Sequence, residues 1–169
     1  MPMLLIAITA VIFAAFGVLA GVNYVDPDLK SRIQTSRALS AQYDSLYSAV
    51  TSYRFENGGL APSSLDDVDG YLRPEARDGF GKLSADFSWS VTKTAPGRAA
   101  LCLTYRGGVQ SDAGVVSGLA RFYGEAARQH PGVTLGSDCG SPAIAPGTDF
   151  VERVLETKAP VAVRFQEVY

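Results

Sequence analysis

The first pattern along the chain is an apolar run. Met3 to Val25 is 23 residues without Asp, Glu, Lys or Arg. About 20 apolar residues are enough to cross a bilayer core as a helix, so the run predicts a transmembrane helix over residues 1–25. A secretory signal has a shorter apolar stretch behind a basic start. Here the run is longer and no Lys or Arg precedes it, although "VLA" before Gly21 has the form of a cleavage site. Ala7, Ala10, Ala14, Gly17 and Gly21 recur at intervals of 3, 4, 3 and 4. That spacing puts them on one stripe of a helix, ending in a GxxxG. Small residues let helix backbones approach closely in lipid, so these five are candidate positions for membrane-helix packing.

The pattern then becomes helical and mixed. In "VDPDLK", Asp26 suits an N-cap, Pro27 the first helical position and Asp28 the positive end of the helix dipole. Leu29, Ile33, Leu39, Tyr43, Leu46, Val50 and Tyr53 follow at steps of 4, 6, 4, 3, 4 and 3. This predicts an amphipathic helix over roughly 27–56. Lys30, Arg32, Gln34, Ser45 and Ser48 lie on its polar side, and "ENGG" supplies the stop. With residues 1–25, this stalk (26–58) reads as one long helical unit with a kink at Asp26–Pro27.

Beyond residue 58 the periodicity changes. Ser63, with Asp66 three residues on, predicts a capped short helix. Phe87, Trp89 and Val91 alternate, as do Leu101, Leu103 and Tyr105, with "APG" between the two runs. Alternation around a turn predicts a β-hairpin. "SDAGVVSGLARFYGEAARQH" predicts a helix that starts at Ser111 or Asp112, stops at Pro131 and buries Val115, Leu119 and Phe122. "GSPAIAPGTD" reads as a loop, "DFVERVLETK" as a short helix or turn, and "PVAVRFQEV" as a final strand. The expected architecture is α+β: an N-terminal transmembrane helix continuing into a long amphipathic helix, packed on a small antiparallel sheet with additional short helices. The globular α+β head comprises residues 59–169.

Charge and cysteine content narrow the partners. The net charge is −2 and no Lys/Arg run occurs, which argues against nucleic acid. Cys102 lies in a strand-like run and Cys139 in a loop, "GSDCGS". The pair is a candidate disulfide, which would add roughly 3–4 kcal/mol in the chain-entropy description; the alternative is two unrelated thiols. Lys30, Arg32 and Arg37 after the apolar run favour a cytoplasmic head by the positive-inside rule. The candidate disulfide favours an oxidising compartment.

No stretch carries recognisable catalysis. The one histidine, His130, sits beside Pro131 at a helix end and reads as a partner of the helix dipole or a surface residue. "GSDCGS" lacks the spacing of a G-x-S-x-G nucleophile elbow. Asp67 to Gly70, "DVDG", resembles part of a calcium loop, but Leu65 and Ala76 stand where an EF-hand needs oxygen ligands. Asp66, Asp67 and Asp69 therefore read as solvated carboxylates. One His and two Cys are too few for a zinc site. The expectation is a non-enzymatic protein with no catalytic, cofactor or metal residues and no small-molecule substrate.

The order of elements carries a resemblance. An apolar helix leading into an amphipathic helix, a Gly-rich loop, a short "PSSL" helix, antiparallel strands and a late cysteine pair resembles type IV pilins and pseudopilins. The local echoes are "YSAVTSYRFENGGLAPSSLDDVDGYL" (47–72) and "FSWSVTKTAPGRAALCL" (87–103). They correspond in that family to the end of the stalk helix with its loop and to the head's sheet. Two positions depart from the family pattern: "MP" is unlike a prepilin leader, and Leu5 stands where mature pilins carry glutamate. With "VDPDLKSRIQ" and "LYSAVTSY", the chain looks more like the PilM class of accessory membrane proteins of type IVb (thin) conjugative pili. The resemblance implies a structural component of a type IV pilus or related secretion machine, acting in basal-body assembly or pilin transport. It implies a single pass through the inner membrane and a periplasmic C-terminal domain. Its partners would be the membrane and other pilus or secretion subunits, met through the transmembrane and stalk helices. A minor pilin or pseudopilin within the fibre is the nearest alternative. A membrane-anchored periplasmic binding module or enzyme unrelated to pili is a further one.

Overall fold

A 30-residue helix, α1 (Pro27–Glu56), leads the fold. The computed structural model describes residues 27–73, 86–95, 98–107, 112–130, 132–136, 138–139 and 161–168. Pro27 at the first position and Asp28 in the first turn suit a helix start, as the local sequence predicts. The other end closes on glycine. Gly59 N–H donates to the Arg54 carbonyl at 2.8 Å, and Gly58 and Gly59 hold φ of 63° and 86°, left-handed values that other residues adopt at a cost.

A 3-10 helix (Asp66–Tyr71) follows. Its cap differs from the expected one. The Asp67 carboxylate reaches back and accepts from the backbone N–H groups of Ser63 (2.7 Å) and Ser64 (3.0 Å). Asp67 is thus a structural acceptor rather than a freely solvated group.

The strands are β1 (Phe87–Ala95), β2 (Arg98–Tyr105), β3 (Val133–Gly136) and β4 (Val161–Val168). They form one antiparallel sheet in the order β1-β2-β4-β3. β1 and β2 are the expected hairpin, with Trp89 opposite Leu103 and Phe87 opposite Tyr105. β4 enters between β2 and β3. The four-residue strand β3 was not expected from the sequence; it owes its conformation to pairing with β4.

Register sorts the sheet into two faces. Trp89, Leu103, Val163 and Leu135 form one row across all four strands, and Val91, Leu101, Phe165 and Val133 form the next. These rows belong to the core. The opposite face carries the row Ser90, Cys102, Arg164 and Thr134. The alternation of period two puts one set toward the helices and the other away from them.

The second helix, α2 (Ala113–Gln129), is capped by Asp112, whose carboxylate accepts from Gly114 N–H at 2.8 Å. Gly114 meets Asp28 and Ser31, Gly118 meets Arg32 and Thr35, and His130 just beyond α2 meets Tyr43. Residue numbers rise together along both partners, so α1 and α2 run parallel, side by side. Phe122 and Tyr43 both reach Phe165 of β4. The helices therefore make one layer over one face of the sheet. Val116, Leu119, Phe122, Tyr123 and Ala126 are buried. Val115, expected in the core, is only partly covered, because Gly114 and Gly118 turn toward α1.

The expected fold needs one correction. The class is α+β with a four-stranded antiparallel sheet, but among the described residues no helix is long and apolar enough to cross a membrane. α1 has the length but carries Asp28, Lys30, Arg32, Arg37, Asp44, Arg54 and Glu56, and such charges are expensive in hydrocarbon. The N-terminal transmembrane helix is thus not part of the observed architecture. Residues 1–25, with Ala7, Ala10, Ala14, Gly17 and Gly21, lie outside the described residues. So do "GSPAIAPGTD" and "DFVERVLETK".

Candidate functional site

Three features of the head stand out as places where it could act: an aromatic junction inside it, a cross-linked rear face, and an apolar tip where α1 ends.

The junction forms where four elements meet. Tyr43 of α1 stacks on Phe165 of β4 with ring centroids 4.2 Å apart, and His130 stands edge-on to Tyr43 at 5.3 Å. Trp89 of β1 lies 6.4 Å from Tyr43 and makes a T-shaped contact with Phe122 of α2 at 6.4 Å. Stacked and edge-on pairs add favourable quadrupole contacts to the burial of the rings. The Trp89 indole N–H donates to Gln42 Oε1 at 2.8 Å, which satisfies a donor on the core side of the sheet. Gln42 is itself buried, so the pair ties α1 to the edge strand β1 through polar as well as apolar contact. Burial raises the Tyr43 pKa to about 12, with the neighbouring Tyr47 and Asp44 charges adding to the rise. The phenol stays neutral through the physiological range.

The rear face carries the disulfide. Cys102 of β2 is bridged to Cys139. The Ser90 and Thr104 hydroxyls lie 3.9 and 3.7 Å from the Cys139 sulfur. Arg164 Nη1 donates to the Cys139 carbonyl at 3.1 Å. Cys139 is thus fixed against β1, β2 and β4 at once, on the side away from the helices. Cys102 and the neighbouring Ala100 and Ala162 are buried there.

The tip is apolar and exposed. Phe55 is 89% exposed and Leu60 60% exposed, on either side of the Gly58–Gly59 turn. An open recess of about 370 Å³ lies beside Phe55, bounded by Thr51, Arg54, Gly58 and Gly59. The tip is held firmly from behind. Tyr71 donates to Glu56 Oε2 at 2.9 Å, Asn57 Nδ2 donates to the Tyr53 carbonyl at 2.8 Å, and Tyr53 and Tyr71 pack edge to face at 5.8 Å. A large ring left in water on an anchored turn is a candidate protein contact.

The residues expected to form the stalk stripe divide. Leu39, Tyr43, Leu46 and Val50 are buried, Ile33 and Tyr53 are partly covered, and Leu29 is 39% exposed. Thr35, Ser36 and Gln42 are buried with them, so the packed face of α1 is more polar than its apolar spacing suggests. Most of that face is used inside this one domain, on α2, the 3-10 helix and the sheet. Among the described residues, no group of three His, Cys, Asp or Glu side chains is placed to hold a metal ion. No protein-family model, no curated protein and no solved structure matches the chain.

Proposed function

We propose that this chain is a non-enzymatic structural component of a type IV pilus, of the type IVb or thin kind, or of a related secretion machine. It acts in basal-body assembly or pilin transport. The observation that carries the reading is the order and packing of the described elements. A long leading helix lies along an antiparallel sheet, a glycine turn and a short helix link it to the first hairpin, and a disulfide pins a later segment to the sheet. That layout fits the pilin-like order read from residues 47–72 and 87–103.

The disulfide supports work in an oxidising compartment, outside the cytoplasm. The exposed Phe55–Leu60 tip offers the surface for a neighbouring subunit. In a structural component the chemistry lies in such contacts rather than in a reacting centre.

Deletion of the gene, followed by counting of pili and fractionation of sheared fibres, tests the reading. The expected result is loss or sharp reduction of pili, with the protein itself absent from purified fibres. Recovery of the protein within fibres favours the minor-pilin alternative. Normal piliation and normal secretion in the deletion strain overturn both.

A further inference from the structure

The bridge between Cys102 and Cys139 is unequal at its two ends. Cys102 belongs to a central strand and is 1% exposed, so no outside reagent reaches its sulfur while the sheet is closed. Cys139 is partly exposed and lies outside the four strands. Thiol–disulfide exchange begins when a thiolate attacks one sulfur and expels the other. Access therefore directs attack to Cys139 and makes Cys102 the leaving group.

A buried thiolate leaves poorly unless its surroundings hold the charge. Cys102 stands between Ser90 of β1 and Arg164 of β4, its directly paired residues on either side. Residues opposed in this way on one face have Cβ atoms about 4.5–5.5 Å apart. Arg164 Nη1 donates to the Cys139 carbonyl at 3.1 Å, which keeps the guanidinium beside the bridge. The Thr104 and Ser90 hydroxyls lie 3.7 and 3.9 Å from the Cys139 sulfur. Arg164 is the only charged residue in the row Ser90, Cys102, Arg164 and Thr134. A bridge that only staples the fold has no use for a cation there.

We propose that the bridge is a redox-exchange site, opened by an external thiolate at Cys139, with Cys102 leaving as a thiolate held by Arg164 and Ser90. The incoming sulfur bonds to Cys139, the Cys102–Cys139 bond breaks, and its electron pair stays on Cys102. A second thiolate from the reductant then attacks the incoming sulfur and expels Cys139. Both cysteines take up protons from water, and the reductant departs as a disulfide. The chain has gained two electrons and two protons. The same steps in reverse close the bridge. Opening unpins Cys139 from the rear face and leaves the strand pairing in place, since no ladder bond runs through the bridge. The thiolate can come from a small thiol or from a dithiol protein, and neither source depends on which assembly the chain serves.

The folded full chain, treated with thiols without denaturant, provides the test. With dithiothreitol, the rate of opening should rise in proportion to reagent concentration. A rate independent of concentration means that opening waits for unfolding, and overturns the proposal. With glutathione followed by N-ethylmaleimide, mass mapping should place glutathione on Cys139 and the maleimide on Cys102. Glutathione on Cys102 overturns it. Arg164→Gln should slow opening about threefold or more, through the poorer leaving group, and Arg164→Lys should restore most of the rate. Loss of stability alone would speed opening, so a slower rate reports the charge. An unchanged or faster rate in Arg164→Gln makes Arg164 structural and overturns the proposal. Faster opening per thiol by thioredoxin than by glutathione identifies a protein source, and the reverse order a small thiol.

Discussion

A Cβ atom placed on Gly118 would stand 2.7 Å from the Cβ of Thr35 and 2.8 Å from the Arg32 carbonyl oxygen. One turn earlier, Gly114 has the same relation to Ser31 and to the Asp28 carbonyl. The two glycines are four residues apart on α2, and they seat that helix against the backbone of α1. Replacing either with Ala forces the helices apart, because a backbone oxygen cannot swing aside as a side chain can. Gly118→Ala should cost about 1–3 kcal/mol, the range for overpacking a close contact, with Gly114→Ala similar. Gly124→Ala is the control, since nothing lies within 4 Å of its Cβ position. Chemical denaturation of the three variants checks the difference.

The cross-link between Cys102 and Cys139 spans 37 residues of sequence. In the chain-entropy description, closing a loop of this size stabilises the fold by about 4 kcal/mol. Cys102→Ser with Cys139→Ser should lower the denaturation midpoint accordingly, and dithiothreitol should lower that of the parent toward the same value. Paired denaturation curves with and without reductant measure both.

Removing Gln42 isolates the indole of Trp89. Gln42→Leu leaves that N–H in a partly buried site without its present acceptor, and the expected cost is about 1–3 kcal/mol. The chain has a single Trp. Its fluorescence should change in the same variant, and equilibrium unfolding gives the energy.

The raised Tyr43 pKa fixes a sign. An unfolded tyrosine ionises near its ordinary value of 10.0, whereas in the fold the phenol holds its proton to about 12. Between those values the unfolded chain binds fewer protons than the native one, so stability falls as pH rises through that window. Tyr43→Phe should remove this component, and the loss of stability between pH 10 and 12 should become shallower. Denaturation midpoints taken across alkaline pH test it.

Phe55 separates folding from contact. At 89% exposure it contributes little to the core, so Phe55→Ser should change stability by less than about 0.5 kcal/mol. If the tip meets a neighbouring subunit, the same variant lowers recovery of that subunit in a crosslinked pull-down. Unchanged recovery removes the tip from the contact.

The elements that could be read from the sequence are those whose signals are local. Alternation marked β1 and β2, the caps at Asp112 and Asn57–Gly59 marked helix ends, and the apolar run at Val161 marked β4. β3 has only four residues between Gly132 and the disulfide loop, too few to show a period, and becomes a strand only by pairing with β4. The α1–α2 seam was hidden for a different reason. Glycine is a poor helix former by propensity, yet at Gly114 and Gly118 the missing side chain is what the packing requires. The helix-packing glycines read from the sequence were Gly17 and Gly21, where the apolar run drew attention. The exposed ring at Phe55 was likewise invisible, because the helical period does not tell a residue at the rim from one in the core.

The strand order β1-β2-β4-β3 also bears on how the protein is made. β4 fills a central place yet follows the other three strands in the chain, so β2 and β3 have no common partner until synthesis passes residue 161. At about 5–20 residues per second, roughly 1–6 seconds separate the emergence of β3 from that of β4. During that interval the aromatic junction lacks Phe165, and the Cys102 strand is open along one edge. A chain that stops before residue 161 keeps the partners of the α1–α2 seam and of the β1–β2 hairpin but lacks the strand that joins β3 to β2 and carries Phe165 into the junction. Placing a late segment at the centre of the sheet thus makes closure of the four-stranded sheet wait for residues 161–168.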